Sequence, residues 1–507
     1  MTKIHRKVAV GGMGLTAILV SGGAIAQTVN LATYVTAANG ATETQVATAA
    51  AVQRTCGSLT SGVLGGGSAQ TGGLNLAQNT TRRDLFLRCN ELVQSAQALQ
   101  GLTSTTRSLG LSKEQLLAAV QQVSGEELTA QGSLSTQVSS GQFANISGRL
   151  NALRFGGAAA AARGRVASLD AQPRNRELYA GNESLPLLGG GASSDSQGAD
   201  RPWGWFVESS YGFGDHDQTA NEDGFDFDSV SVSTGTDYNF GSAVVGFSVG
   251  FDRYSADFDT ATLVSGGNAE VEGVSGSLFG AYFGERLSIN GIASYGSLES
   301  DISRRAQYVS ANAACTLGCG ASREFTGSPD GSYVALGLTL SHDFSAAGWD
   351  ITPSLTGSYR NVDIDSYSER DTSANGGLAL AYDDQKIKST RSIVGLAISR
   401  PISKSFGVLT PNFRVEWHHE FEDDARTLRA KYVVENEVIT TDTNNFACTI
   451  SCFAFSTNPA DADFGVAGVG LSATFAQRMQ AYVYYEALLG AADLTSNSIA
   501  VGLRGSF

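Results

Sequence analysis

Two hydrophobic periods divide the chain. In the N-terminal part, Leu85, Cys89, Leu92, Ala96 and Leu99 follow one another at intervals of four and three, and Phe143, Ile146, Leu150 and Leu153 do the same. That spacing predicts amphipathic helices, because about 3.6 residues per turn brings these positions to one face. Ser112-x-x-Gln115 and Ser124-x-x-Glu127 are capping-box patterns and predict two helix starts. From Trp203 the period changes to two. Val230, Val232, Thr234, Thr236, Tyr238 and Phe240 share one face, as do Val245, Phe247, Val249 and Phe251 with Gly246, Ser248, Gly250 and Asp252 between them. Trp349, Ile351, Pro353, Leu355, Gly357 and Tyr359 alternate with polar residues, and Ile499, Val501, Leu503 and Phe507 alternate with Ala500, Gly502, Arg504 and Ser506.

Read throughout, this alternation predicts about twelve strands, near 203–214, 226–238, 242–257, 271–283, 286–302, 332–343, 349–364, 389–400, 405–421, 463–474, 478–489 and 495–507. Their connections sort by length. Asn239 to Gly241, Gly284-Glu285, Phe344 to Gly348, Pro401 to Lys404 and Phe475 to Gln477 are tight, whereas the alternate connections are longer, up to Glu422 to Ala462. A strand needs about 9–11 residues to cross a bilayer, and short turns on one side with long loops on the other are the pattern of an outer-membrane barrel. The predicted fold is therefore mainly β: a ~12-stranded antiparallel transmembrane β-barrel preceded by a small α-helical N-terminal region. A soluble sandwich would want shorter strands and polar outer faces.

Composition sharpens this picture. Only 16% of residues are charged, 60 are Gly, and mean hydropathy is -0.06. Beyond the N-terminus there is no apolar run of the ~20 residues that a membrane helix needs. Residues 1–26 read as a secretory signal: Lys3, Arg6 and Lys7 precede an apolar stretch from Val8 to Val20, and Ala24-Ile25-Ala26 fits the cleavage pattern. A helical region, 27–166, follows. From Gly156 the chain turns rich in Ala, Gly, Ser and Asp, and 167–202 is expected to be a flexible linker. Residues 203–507 form the barrel. Charge is lopsided: residues 201–507 carry 19 basic and 38 acidic side chains, a net of -19. Such acidity argues against nucleic acid as a partner, since phosphate binding needs basic patches. Six Cys occur as three local pairs, Cys56 with Cys89, Cys315 with Cys319 and Cys448 with Cys452. In an exported chain this favours disulfides, whereas a zinc reading lacks nearby His ligands.

In this order of parts the chain resembles the classical monomeric autotransporters of type V secretion, whose C-terminal domain is an outer-membrane β-barrel. Trp203-Gly-Trp-Phe and Tyr211-Gly-Phe-Gly-Asp open the barrel as in that family, and Val501-Gly-Leu-Arg-Gly-Ser-Phe507 closes it. The segment Val123-Ser-Gly-Glu-Glu-Leu-Thr-Ala-Gln-Gly followed by Phe143 to Arg154 looks like the helical stretch ahead of the barrel in small members. The resemblance implies that Val501, Leu503 and terminal Phe507 form the signal read by the barrel-assembly machinery. Gly505 stands where the family often has a bulkier apolar residue. It also implies periplasmic chaperones and outer-membrane lipid as partners, a monomeric barrel, and export of the N-terminal region to the surface while one segment stays in the lumen. Arg149, Arg154, Arg163, Arg165, Arg174 and Arg176 precede the acidic barrel. Basic groups would sit favourably in an acidic, low-dielectric lumen. Solvating a helix face is an equal account of them.

Chemistry is sparse. The five His are His5, His216, His342, His418 and His419, so residues 27–200 hold none and cannot supply a Ser-His-Asp or Cys-His arrangement. No GxSxG, HExxH or P-loop pattern occurs. No enzymatic activity, cofactor or metal is expected. Asp215, Asp217, Glu222, Asp223, Asp226 and Asp228 lack EF-hand spacing and read as solvated loop charge. His418 and His419 point to opposite faces of one strand, which argues against a shared metal site. The expected function is an outer-membrane autotransporter that anchors and translocates a small helical domain for surface display or adhesion. The competing account is a porin-like barrel with a periplasmic or pore-plugging helical region. The linker does not decide between them: about 40 residues at ~3.3 Å each exceed a ~30 Å membrane core, so threading is feasible.

Overall fold

The computed structural model describes residues 30–61, 80–102, 106–125, 131–138, 141–143, 145–146 and 202–506, except 220, 261–264, 316–317, 374–375, 434–450 and 476–478. The expected signal, the linker, the six arginines between Arg149 and Arg176, and Phe507 lie outside the described residues.

Twelve strands close into a barrel. They are β1 Trp203–His216, β2 Phe225–Asn239, β3 Ala243–Thr260, β4 Ser265–Phe283, β5 Leu287–Val309, β6 Asp330–His342, β7 Trp349–Ile364, β8 Gln385–Ser399, β9 Gly407–Glu420, β10 Asp463–Phe475, β11 Met479–Leu489 and β12 Leu494–Ser506. Each pairs antiparallel with its sequence neighbour, from β1–β2 through β5–β6 to β11–β12. Closure comes from β12 against β1, with Gly204 opposite Ser506 and His216 opposite Leu494. The ring leaves no free edge in its wall, which is the condition for a sheet to stand in lipid.

Period-two alternation gives each strand an outer and an inner face. Val232, Phe247, Leu278, Leu338, Leu355 and Leu503 point outward and are exposed; Ser231, Ser233, Ser248, Ser277 and Asn290 point inward and are buried. Leu503 and Val501, read from the sequence as part of the assembly signal, both stand on this lipid-facing side. The departure at Gly505 has a local reason. It pairs with Trp205, and a Cβ there would lie 2.5 Å from the indole Nε1, so the outward Trp205 already covers the position.

Toward the long connections the same strands continue with their polarity reversed. On β2, Asp226 and Asp228 face out while Phe225 and Phe227 are buried inward. On β5, Glu299, Asp301 and Arg305 are exposed while Leu298, Ile302, Ala306 and Tyr308 are buried. β5 runs seven residues past its expected end at 302, and Gly320–Gly327 pairs with it as a hairpin. Asp226 and Asp228 on β2, and Asp252, Asp257 and Asp259 on β3, therefore belong to strand and not to loop.

The helices are α1 Leu31–Tyr34, α2 Glu43–Ser61, α3 Thr80–Leu99 and α4 Lys113–Gln122. Leu85, Cys89, Leu92 and Ala96 of the predicted stripe are buried, while Leu99 at the end of α3 is exposed. The capping box at Ser112 forms: Gln115 N donates to Ser112 Oγ at 3.2 Å, and Ser112 N donates to Gln115 Oε1 at 2.9 Å. The expected second box needs Glu127, outside the described residues. Cys56–Cys89 joins α2 to α3 with a Cα separation of 5.6 Å, and Cys315–Cys319 closes a turn at the tip of β5. Cys448 lies outside the described residues.

Candidate functional site: a threaded barrel and its cap

Residues 131–138, 141–143 and 145–146 are helical and stand inside the barrel. Leu134 and Val138 pack in one apolar cluster with Phe227, Tyr254, Val271 and Tyr333. Ile146 packs in another with Phe206, Val244, Phe279 and Phe283. The first cluster lies toward the long connections; the second adjoins the turns at 240–242 and 284–286. The segment therefore runs, N to C, from the long-loop end to the short-turn end.

Polar contacts fix its depth. Ser233 Oγ donates to Gln142 Oε1 at 2.7 Å, and Asn145 Nδ2 donates to Ser233 Oγ at 2.8 Å. Arg360 Nη1 donates to the carbonyl of Thr136 at 3.4 Å. Gln385 Nε2 donates to Gln131 Oε1 at 3.4 Å, and Arg426 Nη1 donates to Gln385 Oε1 at 3.3 Å. Wall glycines admit the larger side chains: a Cβ at Gly273 would stand 2.6 Å from Val138 Cγ1, and one at Gly337 would enter the Phe143 ring. A buried polar group is stable only when its bonds are satisfied, so this set of matched groups selects one register. Of the predicted stripe, Phe143 and Ile146 face the wall as expected; Leu150 and Leu153 are outside the described residues.

The helical segment lies against β2 to β7, and a cavity of about 990 Å³ remains on the other side among the described residues. Its wall is charged, and several of these charges pair with one another. Arg391 Nε meets Glu420 Oε2 at 2.7 Å, Arg414 Nη1 meets Glu416 Oε1 at 3.2 Å and also pairs with Glu486. His418 Nε2 lies 3.1 Å from Glu416 on this inner face. His419 turns outward to Asp463 at 3.0 Å. The two histidines do diverge, as alternation requires.

The acidic mouth differs from expectation. Glu222 and Asp223 are buried, not solvated. Glu222 sits 3.3 Å from His216 Nε2 and accepts from Asn458 N at 3.1 Å, so it latches the 217–224 connection to the long 421–462 one. Burial, then the Asp259 charge, pushes the Asp223 carboxyl up to about 7. Among the described residues no group of His, Cys, Asp and Glu is arranged to hold a metal.

Above the barrel, α1 to α4 share one apolar core with the long connections: Leu85, Leu92 and Leu116 meet Phe325, Leu380, Leu428 and Phe455. Tyr367–Ser368, Leu380–Tyr382, Thr427–Tyr432 and Cys452–Ser456 form a small sheet in this cap. Arg304 Nε and Nη2 grip Glu369 at 2.5 and 2.7 Å, and Arg304 Nη1 donates to the carbonyl of Gln122 at 3.2 Å. Arg88 pairs with buried Glu91 at 2.6 Å and donates to the carbonyls of Gly318 and Gly320 in the disulfide turn. Sequence reasoning missed this seam: each partner looks like ordinary helix or loop charge, and sequence separations of 65 to 232 residues leave no local signal.

A family model described as the autotransporter beta-domain matches residues 205–486. The esterase EstA of Pseudomonas aeruginosa is 34% identical over 114 residues, 22% of this chain and 16% of the esterase, as is the EstA of Pseudomonas putida. The match thus spans about a sixth of the length of these curated relatives. Among solved structures, the translocator domain of the autotransporter NalP from Neisseria meningitidis is 17% identical with a TM-score of 0.44, covering 60% of this chain and 89% of that one. The transport unit of AIDA-I from Escherichia coli is 12% identical with a TM-score of 0.39, covering 69% and 98%.

Proposed function

This chain belongs to the autotransporter family, outer-membrane barrels of Gram-negative bacteria that carry an N-terminal passenger, and we propose that its passenger is the small helical region, displayed at the cell surface for contact or adhesion and not for catalysis. The observation that carries this reading is the direction of the lumenal segment. With Gln131 toward the long connections and Ile146 toward the short turns, α1 to α4 ahead of it belong to the long-loop side, and long loops face outward in outer-membrane barrels. A periplasmic plug would run the other way.

Esterase activity belongs to the relative that bears that name. For a helical passenger spanning 27–166 it would need an acyl-transfer base, and no His stands between 27 and 200. The same reading has periplasmic chaperones escort the chain and the barrel-assembly machinery insert it as a monomer through Val501, Leu503 and Phe507. The outward stance of Val501 and Leu503 supports that role.

The test is protease shaving of intact cells carrying one epitope tag near Gln27 and another in the 422–462 connection. Loss of both tags with the barrel protected is the expected outcome. Loss of the loop tag alone would put the helices in the periplasm or the pore and return the porin-like account.

A further inference from the structure

The cap is built from two halves that each lack what a fold needs. α4 shows this best. Leu116 through Gln122 are buried one after another, seven consecutive residues around the full helix circumference. A helix on the surface of a small bundle buries one stripe of about 100°, so α4 is enclosed by something besides α1 to α3. The enclosing wall is the extension of β5, where Gln307 N donates to Gln122 Oε1 at 2.8 Å. α2 packs along Cys452–Ser456 in the same way.

Polar contacts follow the seam. Asp84 on α3 meets Arg323 at 2.8 Å and accepts from Gly377 N at 3.0 Å. Arg54 on α2 donates to the Cys452 carbonyl at 2.8 Å. Ala311 N donates to the Leu109 carbonyl at 2.7 Å. Helices alone would leave Asp84 without these partners and Leu85 and Leu92 without the loop side chains of their shared core. The loops alone would present Leu428, Phe453 and Phe455 to water on a sheet of very short strands, below the size that holds together by itself, and Phe325 on the Gly320–Gly327 hairpin beside it. Neither half supplies a closed core, and small cores are marginal even when closed.

We propose that the outer connections of the barrel are the folding template and permanent receptor of the chain's own N-terminal helices, so that α2 to α4 acquire stable structure only by docking there. This rests on the reading that the helices lie outside the membrane. The passenger is then not a freight module that folds by itself and leaves. It is one half of a composite domain whose other half is already fixed when the helices emerge. The latch residues are Arg323 and Arg304 on the barrel side, and Asp84 and Arg88 on the helix side.

The experiment is amide hydrogen exchange on the full-length protein, wild type against Phe455→Ser and Arg323→Ala. Both substitutions lie in connections, not in lipid-facing wall. We expect exchange in α2, α3 and α4 to quicken at least tenfold in each variant while β1 to β12 keep wild-type protection. A reciprocal change, Leu116→Ser on α4, should quicken exchange in 427–432 and 452–456. Helices that keep wild-type protection in Phe455→Ser and Arg323→Ala would overturn the proposal and make the passenger self-folding. If Phe455→Ser lowers barrel assembly itself, the partly exposed Arg323→Ala decides alone. Tag shaving separates the two levels: an inaccessible Gln27 tag in wild type sinks the display reading, whereas an accessible tag with unchanged helices sinks only the template.

Discussion

The lower and upper halves of the barrel wall are made of the same twelve strands and have opposite polarity. Near the short turns, Val245, Phe247, Val249 and Phe251 face outward on β3 and Ser248 faces in. A few residues on, Arg253 and Asp257 face outward and Tyr254 and Phe258 face in. The backbone does not change; its surroundings do. Below, the outside is hydrocarbon and the inside is bridged by hydrogen bonds such as Ser233 with Gln142. Above, the outside is water and the inside meets the apolar Leu134 and Val138. Burial of apolar area is favourable whichever way it faces, at roughly 25 cal/mol per Å². The reversal therefore marks where lipid ends, and the cap begins where the strands have already become the wall of a water-facing core.

The largest effect should come from cutting a buried pair at the top of that core. Glu369→Leu leaves Arg304, almost wholly buried, without its carboxylate and should cost the cap about 3–5 kcal/mol, whereas Arg304→Met combined with Glu369→Leu should recover most of it. Urea denaturation followed by cap protease sensitivity reads both; equal losses in single and double variants would break the distinction between a core and a surface pair. Next, Leu338→Arg introduces a charge at a lipid-facing position that is 61% exposed. It should lower barrel stability by about 2–4 kcal/mol, measured by folding in bilayers. Val309→Arg, at a position 72% exposed above the reversal, should fall within about 0.5 kcal/mol of wild type. If these two respond alike, the proposed edge of the lipid is misplaced.

Overpacking inside is smaller. Gly273→Leu drives a side chain into Val138 and should cost about 1–3 kcal/mol, seen as faster exchange of 131–138 with the outer band intact. The smallest effect concerns pH at the mouth. The Asp223 carboxyl is raised to about 7 from its usual 3.8 by burial and by Asp259. A raised acid pKa favours the protonated folded form, so the contribution is fully present below about pH 4 and is lost as pH climbs toward 7. The protection factors of the 217–224 connection, corrected for the intrinsic pH dependence of amide exchange, should thus be lower at pH 8 than at pH 5, and Asp223→Asn should flatten that difference.

Much of the barrel was legible because its cause is local. Alternation along 242–257 or 349–364 names a strand and its faces without any partner, and loop lengths then name the two ends. The Ser112 cap was legible for the same reason, since both of its bonds span three residues. Spacing alone makes Glu222 and Asp223 read as solvated, because the contact of Glu222 with Asn458 and the Asp259 charge felt by Asp223 leave no signal near them in the sequence. Leu99 belongs by spacing to the apolar stripe of α3, yet at the end of that helix it is exposed.

The sequence by itself determined the strand period, the side of each residue and the alternation of short and long connections, because period and turn chemistry act within a few residues. Only the tertiary structure decided that Arg304 reaches Glu369, that Arg323 reaches Asp84, and that the helices share their core with the loops. Those contacts join groups 65 to 239 residues apart. Burial and charge pairing at such range exist only after barrel closure has brought the long connections to one end.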